Sequence, residues 1–440
     1  MKRKKPLPQP ATTTIQSLSH EGRGVAQIDG KTVFIDNALP GETVTFDYTR
    51  RKNSFDEGKA TVIQNRSEHR ATPKCSVFDL CGGCSLQHMD MPSQLSLKQK
   101  TLLEQLKHFG QVQAETVLLP LSANDWGYRR KARLGVRYIP KKEKVLVGFR
   151  ETNGRYITNT EQCEVLHASI GTKIEALSEL IRSLDAYDNI PQIEVAAGDD
   201  VTALIFRHLI ELSEEDKTKL VAFGKEHGFH IYCQPKNIDS IYLLSPENHP
   251  ERVSYHLPKH DITMQFHPSD FTQINHELNQ KMIDLAIQQL DIQPDDRVLD
   301  LFCGIGNFSL PLARYAKHVT GVEGSIKATD RANENAKKNG LTNVEFHTAN
   351  LEEPCNHLPW ANQTYDKCLL DPARTGAETI LPLINELKPS VIVYVSCNPS
   401  TLARDAGILV NTFGYTLKQC GIMNMFPHTK HVESIATFVK

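Results

Sequence analysis

The stretch Val298-Leu299-Asp300-Leu301-Phe302-Cys303-Gly304-Ile305-Gly306-Asn307 decides the fold. A short apolar run that reads as a buried strand passes directly into a glycine-rich turn. Two later runs end in the same abrupt way, Leu369-Leu370-Asp371-Pro372-Ala373-Arg374 and Val393-Tyr394-Val395-Ser396-Cys397-Asn398-Pro399. Three buried strands, each delivering reactive or binding groups at its carboxyl end, describe an open α/β sheet with its site along one rim. Working outward, strands are expected over 297–302, 318–322, 344–348, 365–370 and 390–395. Helices are expected over 276–290, 308–317, 325–339 and 400–412. This alternation is the doubly wound, Rossmann-like pattern, and it spans residues 265–440.

Glycines in the first turn let the backbone approach a nucleotide-like ligand closely. A dinucleotide fold wants a third Gly or Ala at position 309, where this chain has Ser309. The second strand ends at Glu323, a carboxylate placed to accept both hydroxyls of a ribose. With no pyrophosphate to hold, the expected ligand is S-adenosylmethionine (SAM). At the third rim Cys397 follows a strand, is flanked by Ser, Asn and Pro, and precedes a helix starting near Ser400. A helix N-terminus lowers a thiol's pKa, so Cys397 is expected as a thiolate nucleophile. Cys233, Cys303, Cys355, Cys368 and Cys420 read instead as buried packing residues. In Met425-Phe426-Pro427-His428-Thr429-Lys430-His431-Val432-Glu433, Glu433 reads as a carboxylate base.

The chain has 440 residues, 40% of them hydrophobic and 23% charged, with a formal net charge of −2. That is the profile of a soluble globular protein of two or three domains, with no global attraction to nucleic acid. RNA or DNA binding must come from local patches, such as Lys2-Arg3-Lys4-Lys5 and Tyr128-Arg129-Arg130-Lys131-Ala132-Arg133. No apolar run suggests a membrane span. The basic start is followed by Pro and Thr rather than an apolar segment, so a cytoplasmic protein is expected.

Residues 1–11 read as a basic tail. Residues 12–70 carry short alternating strands and turns and read as a small β-barrel. His20-Glu21-Gly22-Arg23-Gly24-Val25-Ala26 followed by Leu39-Pro40-Gly41-Glu42 resembles a TRAM domain, an OB-like barrel found on RNA-modifying proteins. Residues 71–264 read as a central α+β domain, with a helix over about 93–109 expected to pack on the catalytic domain. Cys75-x5-Cys81-x2-Cys84, with Cys163 further on, supplies four thiols. Zinc accepts four Cys, and so does a [4Fe–4S] cluster.

The whole pattern resembles the bacterial RNA uracil-C5 methyltransferases, most closely the branch that modifies 23S ribosomal RNA. The family's Phe-x-Gln-x-Asn stands here as Phe271-Thr272-Gln273-Ile274-Asn275, its Asp-Pro-x-Arg as Asp371 to Arg374, and its Ser-Cys-Asn-Pro as Ser396 to Pro399. His431-Val432-Glu433 carries the terminal His-x-Glu signature. The resemblance implies a multidomain enzyme: an OB-like TRAM barrel, a central α+β domain with a [4Fe–4S] cluster on Cys75, Cys81, Cys84 and Cys163, and a class I SAM-dependent methyltransferase domain. It implies SAM contacts at Gln273, Phe302, Asn307, Glu323, Asn350 and Asp371. Asp371 would also position the uracil, Cys397 would be the nucleophile and Glu433 the base. Phe271, Arg129, Arg130, Lys131 and Arg133 are candidate RNA contacts, and a monomer acting on 23S rRNA is expected. Because the transfer-RNA branch generally lacks the barrel and the Cys set, the ribosomal branch is favoured. A transfer-RNA uracil-C5 methyltransferase and a non-catalytic RNA-binding protein with a SAM fold are the alternatives.

Overall fold

The apolar runs ending at Leu301, Leu370 and Ser396 are neighbouring parallel strands of one eight-stranded sheet. The structure, a computed structural model, describes residues 7–440 except 153, 248 and 250. The basic run of residues 2–5 lies outside the described residues. The sheet order is Val344–Thr348, His318–Glu323, Arg297–Leu301, Lys367–Leu370, Val391–Ser396, Glu433–Val439, Thr416–Met423 and Thr116–Val117. The first five strands are parallel, and the central ones, Arg297–Leu301, Lys367–Leu370 and Val391–Ser396, carry the largely apolar, buried runs that burial on both faces requires. Leu301 pairs with Leu370 and Leu370 with Tyr394, so these strands end on one rim.

Glu433–Val439 runs antiparallel to Val391–Ser396, with Ser396 opposite Ser434. It therefore begins where its neighbours finish. All five expected strands are present. Thr416–Met423 and Glu433–Val439 were not read from sequence, because Lys418, Gln419 and Gly421 interrupt the apolar pattern of the first. Asn275, Ser325 and Asn398 cap the helices His276–Leu290, Ile326–Lys338 and Pro399–Gly407 with side-chain oxygens. The helix expected over 308–317 is only the short Ser309–Leu312. Beyond the helix Met91–Gln105, the wider turn Leu106–Gly110 packs on Pro399–Gly407. There the backbones of Gly110 and Gly407 meet, and a Cβ on Gly110 would lie 2.5 Å from the Ala403 carbonyl oxygen.

The chain forms two units. One comprises the residues up to Thr101 together with Phe426–His431, and the other Leu102–Met425 with Val432–Lys440. In the first, six strands run in the order Ala11–Thr14, Thr43–Arg51, Phe55–Ile63, Lys31–Asp36, Gly24–Ile28 and Ser17–Leu18. Among the described residues the two end strands do not pair, so this is a curled half-barrel rather than the closed barrel expected. Ile15, Val33, Ile35, Val44 and Phe46 fill it. Residues 426–431 are stitched into this unit: Ser85 and Leu86 N–H both donate to the His428 carbonyl at 2.9 Å, and Lys98 Nζ donates to the Phe426 carbonyl at 2.9 Å. His428 N–H donates to Gln94 Oε1 at 2.9 Å. His428 thus serves this packing.

The second unit also holds a six-stranded mixed sheet, in the order Tyr242–Ser245, Phe229–Gln234, Thr202–Arg207, Gln192–Ala197, Lys131–Ile139 and Lys144–Gly148. Helices Ile174–Ser183 and Glu214–His227 pack on it. Of residues 71–264, residues 71–101 lie in the first unit and Thr116–Val117 in the eight-stranded sheet. Among the described residues no helix is long and apolar enough to cross a membrane.

One buried ion pair anchors the first unit. Arg70 Nε and Nη2 donate to the two oxygens of the fully buried Glu42 at 2.6 and 2.7 Å, and Leu39 N–H and Ser67 N–H donate to the same carboxylate. Burial pulls the Glu42 pKa up, but these donors outweigh it and hold the carboxyl below the ordinary range. Glu42 therefore contributes stability that is present above the ordinary glutamate pKa and lost as pH falls through its depressed one. Arg70→Met should cost about 3–5 kcal/mol by stranding that charge, read as a lower urea midpoint for the first unit at pH 7, with the gap to wild type narrowing in acid.

Candidate active site

Three chain segments converge at the rim. Cys397 and Glu433 stand one residue beyond the Ser396–Ser434 pair, directly across the antiparallel ladder, and Ser434 Oγ donates to the Ser396 carbonyl at 3.2 Å. Asp371 follows the neighbouring parallel strand, its N–H donating to the Leu301 carbonyl at 3.3 Å. The loops are clipped together. Asn398 caps the helix by accepting from Ser400 N–H, and its Nδ2 donates to the Arg374 carbonyl at 3.0 Å. Asp405, fully buried, accepts from Tyr394 Oη at 2.6 Å, Ala377 N–H at 2.7 Å and Arg404 Nε at 2.8 Å. That single carboxylate ties the strand and helix flanking Cys397 to the loop that follows Asp371. Neither Tyr394 nor Asp405 was singled out from sequence. A buried Asp on a helix six residues past Ser-Cys-Asn-Pro was the available signal.

The electrostatics correct one expectation. Cys397 is half-buried, and its thiol is not lowered by the helix N-terminus. Burial, then Glu433, then Asp371 push it up to about 11, opposed by Arg374. Glu433 is 3% exposed, and burial followed by Asp371 raises it well above the usual carboxylate range, again with Arg374 opposing. Burial also pushes Asp371 up to about 7. Burial thus favours the protonated forms of Cys397 and Glu433 at rest and leaves Asp371 near its midpoint at neutral pH. The five other cysteines expected to be buried are so.

The glycine turn begins one strand over. Phe302 has φ +65°, a left-handed backbone uncommon outside glycine, and Gly304 and Gly306 have φ +55° and +91°. A Cβ at Gly304 would meet nothing within 4 Å, so the turn presents open backbone to an incoming ligand. Glu323 closes this turn, its oxygens accepting from Gly304 N–H at 3.1 Å and Ser325 N–H at 3.0 Å. The arrangement fits a ribose-bearing ligand such as SAM. Ser309, read as the departure from the dinucleotide pattern, donates its hydroxyl to the buried Asp300 at 2.5 Å. Burial, with Asp371 and Glu323 adding to it, moves Asp300 up to about 7.

Asn307 exchanges amide hydrogen bonds with Asn279 and accepts from Tyr255 Oη at 2.8 Å. Neither partner was anticipated. Gln273 is half-buried before the His276–Leu290 helix, and Asn275 is that helix's cap. Asn350 is exposed and turned onto its own loop, donating to Glu353.

The candidate RNA contacts separate. Phe271 is 76% exposed, and Arg133 is exposed and pairs with Glu194. Arg129 lies over the Phe149 ring, and Arg130 is paired to Asp199 at 2.5 Å. Lys131 turns inward. Cys75, Cys81 and Cys84 belong to the first unit and Cys163 to the second, and all four are half-buried. Gly83 N–H donates to Cys81 Sγ at 3.4 Å. Four thiols suit an iron–sulfur or zinc group chemically. Among the described residues, however, no group of three or more His, Cys, Asp or Glu that could hold a metal ion is assembled.

A family model described as tRNA (Uracil-5-)-methyltransferase matches residues 91–440, and a TRAM domain model matches residues 12–47. The chain belongs to the uracil-C5 methyltransferase family. It is 51% identical to the 23S rRNA (uracil(1939)-C(5))-methyltransferase RlmD of Alcanivorax borkumensis, over all of this chain and 99% of that one. It is 50% identical to the same-named protein of Hahella chejuensis, again over all of this chain and 99% of the relative. In fold it resembles the Pyrococcus abyssi tRNA (uracil-54, C5)-methyltransferase solved in complex with S-adenosyl-L-homocysteine, with TM-score 0.74 over 98% of this chain and 100% of that one, at 23% identity. Because a uracil-C5 methyltransferase named for tRNA shares the fold almost end to end, the N-terminal unit does not by itself separate the ribosomal from the transfer-RNA branch.

In this methyltransferase the raised thiol is directly measurable. Alkylation of Cys397 by iodoacetamide, followed by mass spectrometry of its peptide, should be slow at pH 7.5 and climb toward a midpoint near 11. Glu433→Gln removes a neighbouring negative charge and should move the midpoint down. A midpoint below 8 in the ligand-free wild type would show that the helix N-terminus governs the thiol after all.

Proposed function

We propose that this chain transfers a methyl group from SAM to C5 of one uridine of 23S rRNA, the position named 1939 in its relatives. The observation that carries the ribosomal substrate is end-to-end identity of about half with enzymes named for that reaction. Bound SAM supplies an electrophilic methyl on a cationic sulfur. Cys397 Sγ adds to C6 of the uracil, and the electron pair displaced toward C5 gives that carbon the nucleophilic character it otherwise lacks. After methylation C5 still carries its proton. Glu433 removes it, the C6–S bond breaks and Cys397 is regenerated. Asp371, between the glycine turn and Cys397, positions the uracil. Glu323 receives the ribose, with Gln273, Phe302, Asn307 and Asn350 lining the rest of the cofactor site.

The position of Cys397 and Glu433, each one residue beyond the Ser396–Ser434 pair of one antiparallel ladder, supports this reading, and the raised thiol and carboxyl would have to ionise during turnover. The target base leaves its stack to reach the rim, and Phe271 offers an exposed ring to an unstacked base. Cys75, Cys81, Cys84 and Cys163 would hold a [4Fe–4S] cluster, with zinc as the alternative, and no step of the reaction passes through it. The enzyme would act in the cytosol as a monomer.

Cys397→Ala should abolish methylation of transcribed 23S rRNA while SAM affinity changes by less than about twofold, since the thiol acts on the base. Wild type should form a stable covalent adduct with RNA bearing 5-fluorouridine, because no C5 proton can then leave. Methylation by Cys397→Ala, or no adduct with wild type, rejects the mechanism. Methylation of transfer RNA but not 23S rRNA would move the enzyme to the other branch.

Glu433→Gln should complete one methyl transfer and then hold the RNA covalently, visible as a gel-shifted species that survives denaturation. Turnover at the wild-type rate would assign the base elsewhere.

Protein purified without oxygen should be brown and carry about four irons per chain. Each of Cys75→Ser, Cys81→Ser, Cys84→Ser and Cys163→Ser should bleach it. One zinc and no visible absorbance would replace the iron–sulfur assignment.

A further inference from the structure

Lys131 opens the strand Lys131–Ile139 and is half-buried, with its ammonium bonded to backbone. Nζ donates to two backbone carbonyls of one turn, Pro268 at 2.8 Å and Asp270 at 2.5 Å. Asp270 is held from the other side. Its Oδ2 accepts from His267 N–H at 2.7 Å and from Arg331 Nε at 3.1 Å, while Asp270 N–H donates to the His267 carbonyl at 2.8 Å. Just beyond, Arg130 N–H donates to the Ile274 carbonyl at 2.8 Å, and Arg129 forms a backbone bridge with Asn275. The segment 267–275 is thus pinned on both sides of Phe271, whose ring alone projects into solvent.

We propose that Lys131 is a positioning residue: it staples the 267–270 turn so that Phe271 is presented as a stiff platform for stacking an unpaired nucleobase. Three successive residues of a cationic run, Arg129 to Lys131, then act through the backbone of a neighbouring aromatic turn rather than through RNA phosphates. Stacking on a preordered ring avoids the entropy of ordering it at the moment of binding, which is what a two-carbonyl staple supplies. The ammonium suits the task because it donates several hydrogen bonds at once. The charged groups facing it are Glu194 and Asp270, which favour its protonated form, and Arg133, which opposes it. Burial dominates and brings its pKa down to about 8. The proposal rests on the reading of Phe271 as an RNA contact.

The test is a double-mutant cycle with Lys131→Met and Phe271→Ala, read as affinity for a labelled transcript spanning the 1939 region, with SAM affinity measured in parallel. Phe271→Ala should weaken RNA binding about tenfold, a typical loss for one stacked base. Lys131→Met should weaken it about threefold to tenfold in the wild-type background and not at all in the Phe271→Ala background. Equal losses in both backgrounds would overturn the proposal, leaving Lys131 as a general contributor to folding or charge. A loss for Phe271→Ala with none for Lys131→Met would overturn it while leaving the stacking reading intact. No loss for Phe271→Ala would remove both.

If Lys131→Met does not fold, Lys131→Gln, whose shorter side chain cannot span to both carbonyls, replaces it in the same cycle, and equal losses in the wild-type and Phe271→Ala backgrounds overturn the staple.

Discussion

The rim works because one strand runs the wrong way. Parallel strands all leave a sheet at the same edge, so a purely parallel sheet offers only groups that follow strand ends. Glu433–Val439 enters where its neighbours leave, and Ser396 opposite Ser434 sets its register. A slip of one residue would turn Glu433 to the opposite face of the sheet and replace it with Val432 or Ser434. The position of a carboxylate across from Cys397 therefore depends on a ladder of backbone hydrogen bonds and on the Ser434 hydroxyl that bonds to the Ser396 carbonyl.

That geometry concentrates acids. Asp300, Asp371 and Glu433 all have raised pKa values, chiefly through burial, and Arg374 is the cation that opposes the rise at Glu433 and Cys397. Such a cavity is poorly suited to hold anions at rest. A positively charged ligand changes the balance, because a cation within a few ångströms favours the ionised form of every group around it. A cationic ligand seated there would favour ionisation of the acids and the thiol around it.

Much of this was readable in the chain. The three central parallel strands and their polar ends follow from largely apolar runs that stop at small or polar residues; Cys397 and Asp371 lie at such ends, and Glu323 ends the strand beside them. The antiparallel strands were not legible, since Lys418 and Gln419 disrupt the alternation of Thr416–Met423. The state of the thiol was misread because a helix N-terminus is visible in sequence and burial is not. The cationic run 129–133 was read by charge alone, whereas Arg130 and Lys131 spend their charges on Asp199 and on the 268–270 carbonyls. Asp405, Asn279 and Tyr255 do their work through contacts distant in sequence, which one chain read linearly does not display.

The excursion of residues 426–431 bears on how the gene can be cut. The hairpin that carries Glu433 is interrupted by six residues whose backbone bonds go to Ser85, Leu86, Gln94 and Lys98. A fragment beginning at Leu102 would keep the hairpin strands but leave those carbonyls and N–H groups without their protein donors and acceptors, immediately before Glu433. The amino-terminal portion is consequently not a detachable accessory, and recombination that exchanged it for an unrelated RNA-binding module would disturb the connector leading into Glu433. Modularity in this lineage is limited by a short carboxy-terminal loop, not by the length of the linker between folds.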